Sequence, residues 1–322
     1  MDYVDFGRTG LRVSVAGLGC GGNSRLGLGR GKSEADAVRI VRAAFDRGVN
    51  FFDTAAVYGT EEVVGQAARE IGRDRMVIST KSLIKKGGEL IAPGQLNDSL
   101  ENSLRALGTD TVDVFNLHAV SPADYGYARD VLAPVLVTAK EAGKLRHIAL
   151  TETSPNDPDQ NMLQVALQDP IWEAAMFAFH MMHQGARRNV FPLTQAGGVG
   201  TMLMFVVRNI FSQLDVLRDN IAALAARGEV PGELTDDPEP LGFLVHEGGA
   251  TSVLDAAYRY ARHEPGAEVV LFGTSDAGHL ETNIASILRP PLPAADRERL
   301  QTLFGHLSGV GLDLPGPPSR GA

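Results

Sequence analysis

Apolar positions along the chain follow two alternating rhythms: short, often β-branched runs, and longer stretches in which apolar residues recur every three or four positions. The first rhythm suits buried strands and the second amphipathic helices. A hairpin is predicted in "YVDFGRTGLRVSV", turning at Thr9-Gly10. Strands are then predicted in "AGLGCGG", "NFFDTA", "MVISTK", "VDVFNLH", "LRHIALTE", "AAMFAFHM", "VGTMLMFVV" and "AEVVLFGTS". Helices are predicted between most of them, in "SEADAVRIVRAAFDRG", "EEVVGQAARE", "PGQLNDSLENSLRALG", "VLAPVLVTAKEAGK", "NMLQVALQ" and "TSVLDAAYRYARH", with "AGHLETNIASIL" after the last strand.

Repeated strand-helix units imply a parallel sheet with right-handed crossovers. Eight of them favour an α/β fold of the closed (β/α)8 TIM barrel type with an N-terminal β-hairpin over an open doubly wound sheet, and no GxGxxG follows a strand. The expected organisation is a single barrel domain over residues 1–322, with residues 1–14 as a hairpin cap. Residues 208–249, rich in turn formers, are expected to make an excursion near the barrel mouth, and residues 313–322, containing "LPGPPSRGA", a disordered tail.

Composition narrows the function classes. With 44% apolar residues and a net charge of -9, the chain suits a soluble globular protein and lacks a cationic footprint for nucleic acid or an anionic membrane. The lone cysteine, Cys20, permits no internal disulfide and fits a reducing compartment. The N-terminus has no apolar signal-peptide core and "MLMFVV" is too short to span a bilayer, so a cytoplasmic location is expected. No oligomeric state is specified by the pattern. His180 and His183 lack a carboxylate or cysteine at ligand spacing, so no metal site is expected.

Candidate chemistry gathers in "FFDTAAVYGTEEVVG", where an apolar strand closes on Asp53 and a phenol, Tyr58, follows in the next loop. Strand side chains alternate, so an inward Asp53 is accompanied by Phe51, while Phe52 faces the helices. The next strand sets Val77, Ser79 and Lys81 on one face, and the one after it Val114, Asn116 and His118. Taken singly, Asp53 suits a turn, Lys81 a solvated rim, His118 a loop and Tyr58 packing. Together they stand at consecutive strand ends on the lip where such barrels carry catalytic groups. They suit proton transfer at a carbonyl: Lys81 would lower the phenol pKa of Tyr58, Asp53 would keep Lys81 charged, and His118 would orient the substrate oxygen.

At this point the sequence resembles the aldo-keto reductase superfamily, through "FGRTGLRVSVAGLGCGG", "GVNFFDTAAVYGTEEVVGQA", "VISTK", "SLENSLRALGTDTVDVFNLH", "EAGKLRHIAL" and "VVLFGTSDAGHLETNIASI". The resemblance implies a (β/α)8 barrel with NADP or NAD extended across the C-terminal lip. It also implies carbonyl reduction or alcohol oxidation without metal, and a tetrad of Asp53, Tyr58, Lys81 and His118, with Tyr58 as general acid in reduction and base in oxidation. The cofactor would meet Gly21, Gly22, Asp53, Thr151, Glu152, Met176, Met204, Phe205, Gly273, Thr274, Ser275, His279 and Asn283.

Three departures stand out. Thr151-Glu152 replaces the usual Ser-Asn, Met176 a usual glutamine, and Met204, with Phe205 beside it, the usual stacking aromatic; Glu152 capping a turn and the methionines filling core are the alternatives. In "FGTSDAGHLETN", Gly273 and His279 stand where NADPH-preferring relatives carry cations, Thr282 replaces an acid, and Asp276 would repel a phosphate. A weakened NADPH preference is therefore expected, unless Arg208 or Arg289 supplies the charge. Glu152, Asn156 and Asp157 near the mouth favour a hydroxylated substrate. The expected function is an NAD(P)-dependent oxidoreductase acting on a small carbonyl or polyol. A redox-sensing regulatory subunit that binds the same nucleotide and a non-redox enzyme on this barrel are the competing readings.

Overall fold

The structure is a computed structural model and describes residues 1–313; the expected tail lies outside the described residues except for Asp313. Strands β1 (Tyr3–Asp5) and β2 (Arg12–Ser14) form the antiparallel hairpin. They are followed by β3 (Ala16–Gly19), β4 (Phe51–Asp53) and β5 (Val77–Leu83), and by a small ribbon of β6 (Lys85–Lys86) and β7 (Glu89–Leu90). The remaining strands are β8 (Val112–Val120), β9 (Leu145–Glu152), β10 (Ala174–Ala178), β11 (Gly200–Met204) and β12 (Val269–Phe272). The parallel strands close into a barrel in the order β10-β11-β12-β3-β4-β5-β8-β9, which leaves no exposed sheet edge.

Side-chain parity follows the expected alternation. Phe51, Val77, Val114, Ala149, Met176, Met202 and Val269 fill the barrel interior, whereas Phe52, Ile78, Phe115, Leu117 and Leu150 join the layer under the helices. From below, the hairpin plugs the barrel with Phe6, which is fully buried, and Gly7 donates its N–H to both carboxylate oxygens of Glu268 at 3.1 and 3.2 Å. A side chain at Gly7 would lie 2.4 Å from the Gly200 nitrogen, so only glycine lets the plug seat this deeply.

The outer helices form where the apolar period says they should. Pro93–Leu107 starts with proline in its first turn, buries Leu96, Leu100, Leu104 and Leu107 on one stripe, and ends at Gly108 with φ 64°. Each buried leucine contributes roughly 1.5–3 kcal/mol. Three regions differ from expectation. The mouth excursion contains a full helix, Leu214–Ala226, which buries Leu217, Ile221 and Leu224. Short helices Ala186–Asn189 and Phe191–Gly197 join β10 to β11, and a further helix, Ala294–Phe304, follows the last expected one. No helix among the described residues is long and apolar enough to cross a membrane.

Candidate active site

At the C-terminal lip, β4 pairs with β5 so that Asp53 lies opposite Ser79. Lys81, two residues further along β5, points the same way. Its ammonium reaches both Asp53 carboxylate oxygens at 2.6 Å and the Thr54 carbonyl at 2.9 Å. Ser79 donates its hydroxyl to Asp53 Oδ1 at 3.0 Å, and Asn116 from β8 donates to Ser79 Oγ and to the Thr80 carbonyl, each at 3.0 Å. Ser79 and Asn116 therefore brace the pair from beneath. They belong to the same inward parity as Lys81 and His118, which was the signal for them.

Burial is the largest single influence on Lys81 and favours its neutral form, but the charge and hydrogen bond of Asp53, with Tyr58 and Cys20, together outweigh it and hold the lysine above its ordinary range. The same burial pushes the Asp53 carboxyl up, while the ammonium and Ser79 pull it back. The two groups thus hold one shared charge pair in a dry site.

Tyr58 ends a short 3-10 turn, Ala56–Tyr58, closed by Gly59 at φ 65°. Its ring lies against Gly21, where an added Cβ would come within 2.5 Å of it. The Lys81 ammonium lies 5.2 Å from the ring centroid, and His118 meets the ring edge-on with centroids 6.0 Å apart. All four residues expected to converge do so. One expectation is corrected in its net sign: Lys81 does pull the Tyr58 pKa down, but burial, joined by the Asp53 and Cys20 charges, outweighs it and leaves the phenol above its ordinary value. Burial, and then the nearby ammonium, drop His118 to about 3, so its imidazole is neutral at physiological pH. Just beyond it, Ala119 takes φ 58° in a register shift of β8, and its N–H donates to Thr151 Oγ1 at 2.8 Å.

The other candidate positions scatter around the same lip. Gly22 turns out of β3 at φ 71°. Met176 and Met204 face the barrel interior. Phe205 does not join them: it adopts φ 62° and carries the Arg208 guanidinium 4.5 Å above its ring. Thr151 is engaged with Ala119, and the buried Glu152 carboxyl accepts from Ala178 N–H and Ser154 Oγ on Oε1, while its Oε2 is buried without a partner among the described residues. Asp157 is buried and caps the helix Asn161–Ala166. The acids expected to greet a hydroxylated substrate are therefore turned inward, with only Asn156 exposed.

Beyond β12, Gly273 is exposed, Thr274 and Ser275 are buried, and Asp276 caps helix Ala277–Leu288 by accepting the His279 N–H. His279 is exposed and Asn283 half-buried on that helix. Sequence reasoning missed a cation here. Lys32, from the loop after β3, crosses to donate its ammonium to the Ser275 carbonyl at 2.6 Å. Arg208 is instead tied to Asp313, and Arg289 to Thr251 and Asp255. No group of His, Cys, Asp and Glu suited to a metal occurs among the described residues.

The chain matches the profile of the Aldo/keto reductase family over residues 17–303. It belongs to that family. Over 99% of both chains it is 25% identical to the aldo-keto reductase YhdN of Bacillus subtilis. A 34% identical stretch covers 45% of this chain and 46% of L-galactose dehydrogenase of Arabidopsis thaliana. Its fold is that of an aldo-keto reductase of Bacillus halodurans in the holo form, with TM-score 0.69, 23% identity and coverage of 94% and 96% of the two chains. As an aldo-keto reductase the protein is an NAD(P)-dependent oxidoreductase. The nucleotide fits residues seen at the lip: an apolar inner wall with Met176 and Met204, and buried Thr274 and Ser275 with the Lys32 ammonium beside them.

Proposed function

We propose that this aldo-keto reductase interconverts a small carbonyl compound and its alcohol, with Tyr58 as the proton donor in reduction and the acceptor in oxidation. The observation that supports it is the buried Asp53-Lys81 pair beneath a phenol that meets a neutral imidazole. When bound, the nicotinamide nucleotide supplies or accepts the hydride. The chain's own residues handle the proton. Tyr58 Oη gives its proton to the developing alkoxide, and the Lys81 ammonium stabilises the phenolate left behind. Asp53 keeps that ammonium charged in a site where burial would discharge it. The neutral His118 donates a hydrogen bond to the same substrate oxygen and orients it.

Met176 and Met204 would line the nicotinamide wall, Thr274, Ser275 and Asn283 would hold the adenosine end, and Lys32 would supply the cation for a 2′-phosphate. That last role favours NADPH more than the residues after β12 alone suggest. The test of the proton donor is Tyr58→Phe. Hydride transfer should fall by ~10²-fold or more while cofactor affinity stays within a few fold. Retained turnover would remove Tyr58 from the mechanism.

A further inference from the structure

The loop that carries Tyr58 is buried at both ends and exposed at its tip. Thr54 and Thr60 flank it and are 0% exposed, whereas Ala56, Val57 and Gly59 between them face solvent. The two threonine hydroxyls share a hydrogen bond, Oγ1 to Oγ1, of 2.8 Å, which closes the neck of the loop. Each side of the neck is also tied to β5. Thr54 donates its N–H to the Ser79 carbonyl at 2.8 Å, and its own carbonyl accepts the Lys81 ammonium at 2.9 Å. Beside Thr60, the buried Glu61 carboxyl accepts the Thr80 hydroxyl at 2.6 Å.

Local chemistry does not ask for this bridge. Thr60 stands at the N-cap of helix Glu61–Ile71, where a threonine hydroxyl ordinarily accepts an N–H of the first helical turn. It makes no such bond here, and its hydroxyl turns back across the loop to Thr54. Packing does not ask for it either, because a buried hydrogen-bonded pair can be replaced by apolar groups of the same shape at little cost in stability. What the bridge does fix is the span from which Tyr58 projects. The turn Ala56–Tyr58 is tied within itself by the Tyr58 N–H, which donates to the Ala55 carbonyl at 3.0 Å, so the turn follows its neck as one piece.

We propose that Thr54 and Thr60 are positioning residues whose hydroxyl bridge sets the Tyr58 phenol over the Lys81 ammonium. The Thr54 carbonyl holds the same ammonium that lies 5.2 Å from the Tyr58 ring centroid, so the neck ties the proton donor to the cation that serves it. A displacement of about 1 Å at a reacting group can cost ~10²-fold in rate. The inference deepens the proposed function and rests on it for the role of Tyr58.

The experiment compares Thr60→Val, Thr60→Ser and the double variant Thr54→Val/Thr60→Val, each with Tyr58 present and in the Tyr58→Phe background. Two readouts are taken: single-turnover hydride transfer from bound NADPH to para-nitrobenzaldehyde, and exchange of the residue-58 amide proton. The double variant leaves neither hydroxyl without its partner, so it keeps the test open where a single change upsets folding. With Tyr58 present, Thr60→Val and the double variant should slow hydride transfer by roughly tenfold or more and speed amide exchange several-fold, with NADPH affinity held within about threefold. Thr60→Ser, which keeps the hydroxyl, should restore both readouts. In the Tyr58→Phe background the same changes should cost less than about twofold in rate, because no phenol is left to place. Unchanged exchange overturns the brace. Faster exchange with an unchanged rate overturns the positioning role, and so does an equal loss of rate in both backgrounds. Faster exchange in a protein whose Tyr58→Phe variant keeps full turnover bears out the brace and overturns the functional reading instead.

Discussion

Lys81 sets its ammonium nitrogen 2.6 Å from both carboxylate oxygens of Asp53, and the two side chains are 0% and 5% exposed. A pair this dry behaves as a unit, since removing either partner strands the other's charge in low dielectric. Asp53→Asn should therefore let Lys81 lose its proton, and Lys81→Met should let Asp53 gain one. Each change is expected to lower kcat by ~10²-fold or more, with the double variant close to the worse single one. Single-turnover rates for the three variants check this. Additive losses would mean that the two residues act separately.

The neutral state of His118 gives a prediction of opposite kind. With its pKa held near 3 by burial and the adjacent ammonium, the imidazole does not titrate across the neutral range. The kcat/KM for reduction should show no limb near the ordinary histidine value of about 6.5. Profiles of wild type and His118→Asn, measured from about pH 5 to pH 8, decide it. A limb in that region that disappears in the variant would show that His118 works as a titrating acid.

Lys32 bears on the choice of nucleotide. Its ammonium sits on the Ser275 carbonyl beside the N-terminal end of helix Ala277–Leu288. A charge-assisted hydrogen bond is worth about 1.5–3 kcal/mol, so Lys32→Met should lower kcat/KM for NADPH by roughly tenfold or more. The value for NADH should change by less than about threefold. Both ratios need one buffer and one ionic strength, because an exposed cation is screened by salt. Equal losses with the two nucleotides would place Lys32 elsewhere than at the 2′-phosphate.

Glu268 links the hairpin plug to pH. It accepts N–H groups from Gly7 and Thr201, yet burial raises its pKa to about 7. For an acid whose folded pKa lies above the unfolded one, the extra stability is fully present below the unfolded value of about 4.3 and is lost as pH rises through the folded value. Relative to Glu268→Gln, wild type should lose a few kcal/mol of unfolding free energy between about pH 5 and pH 8. Urea unfolding of both proteins across that range measures the difference. A constant offset would show that Glu268 does not titrate there.

The period-two alternation of the strands and the period-3.6 stripes of the helices determined the barrel, the inward parity of Asp53, Lys81 and His118, and the convergence of Tyr58 on them. These are local patterns, and a closed parallel barrel converts neighbouring strand ends into neighbouring side chains. The helix Leu214–Ala226 was not expected, although Leu217, Ile221 and Leu224 recur at helical spacing, because the turn formers that follow obscured it. Only the tertiary structure decided what lies beyond regular elements. Lys32 meets Ser275 across a sequence separation of 243 residues, along a loop path that no period encodes. Whether the Glu152 carboxyl faces the cofactor or the end of β10 depends on where the β9-β10 ladder stops. The sign of the Tyr58 shift likewise depended on how deeply the phenol and its two charged neighbours are buried together, because desolvation is a property of the packed site and of no single residue.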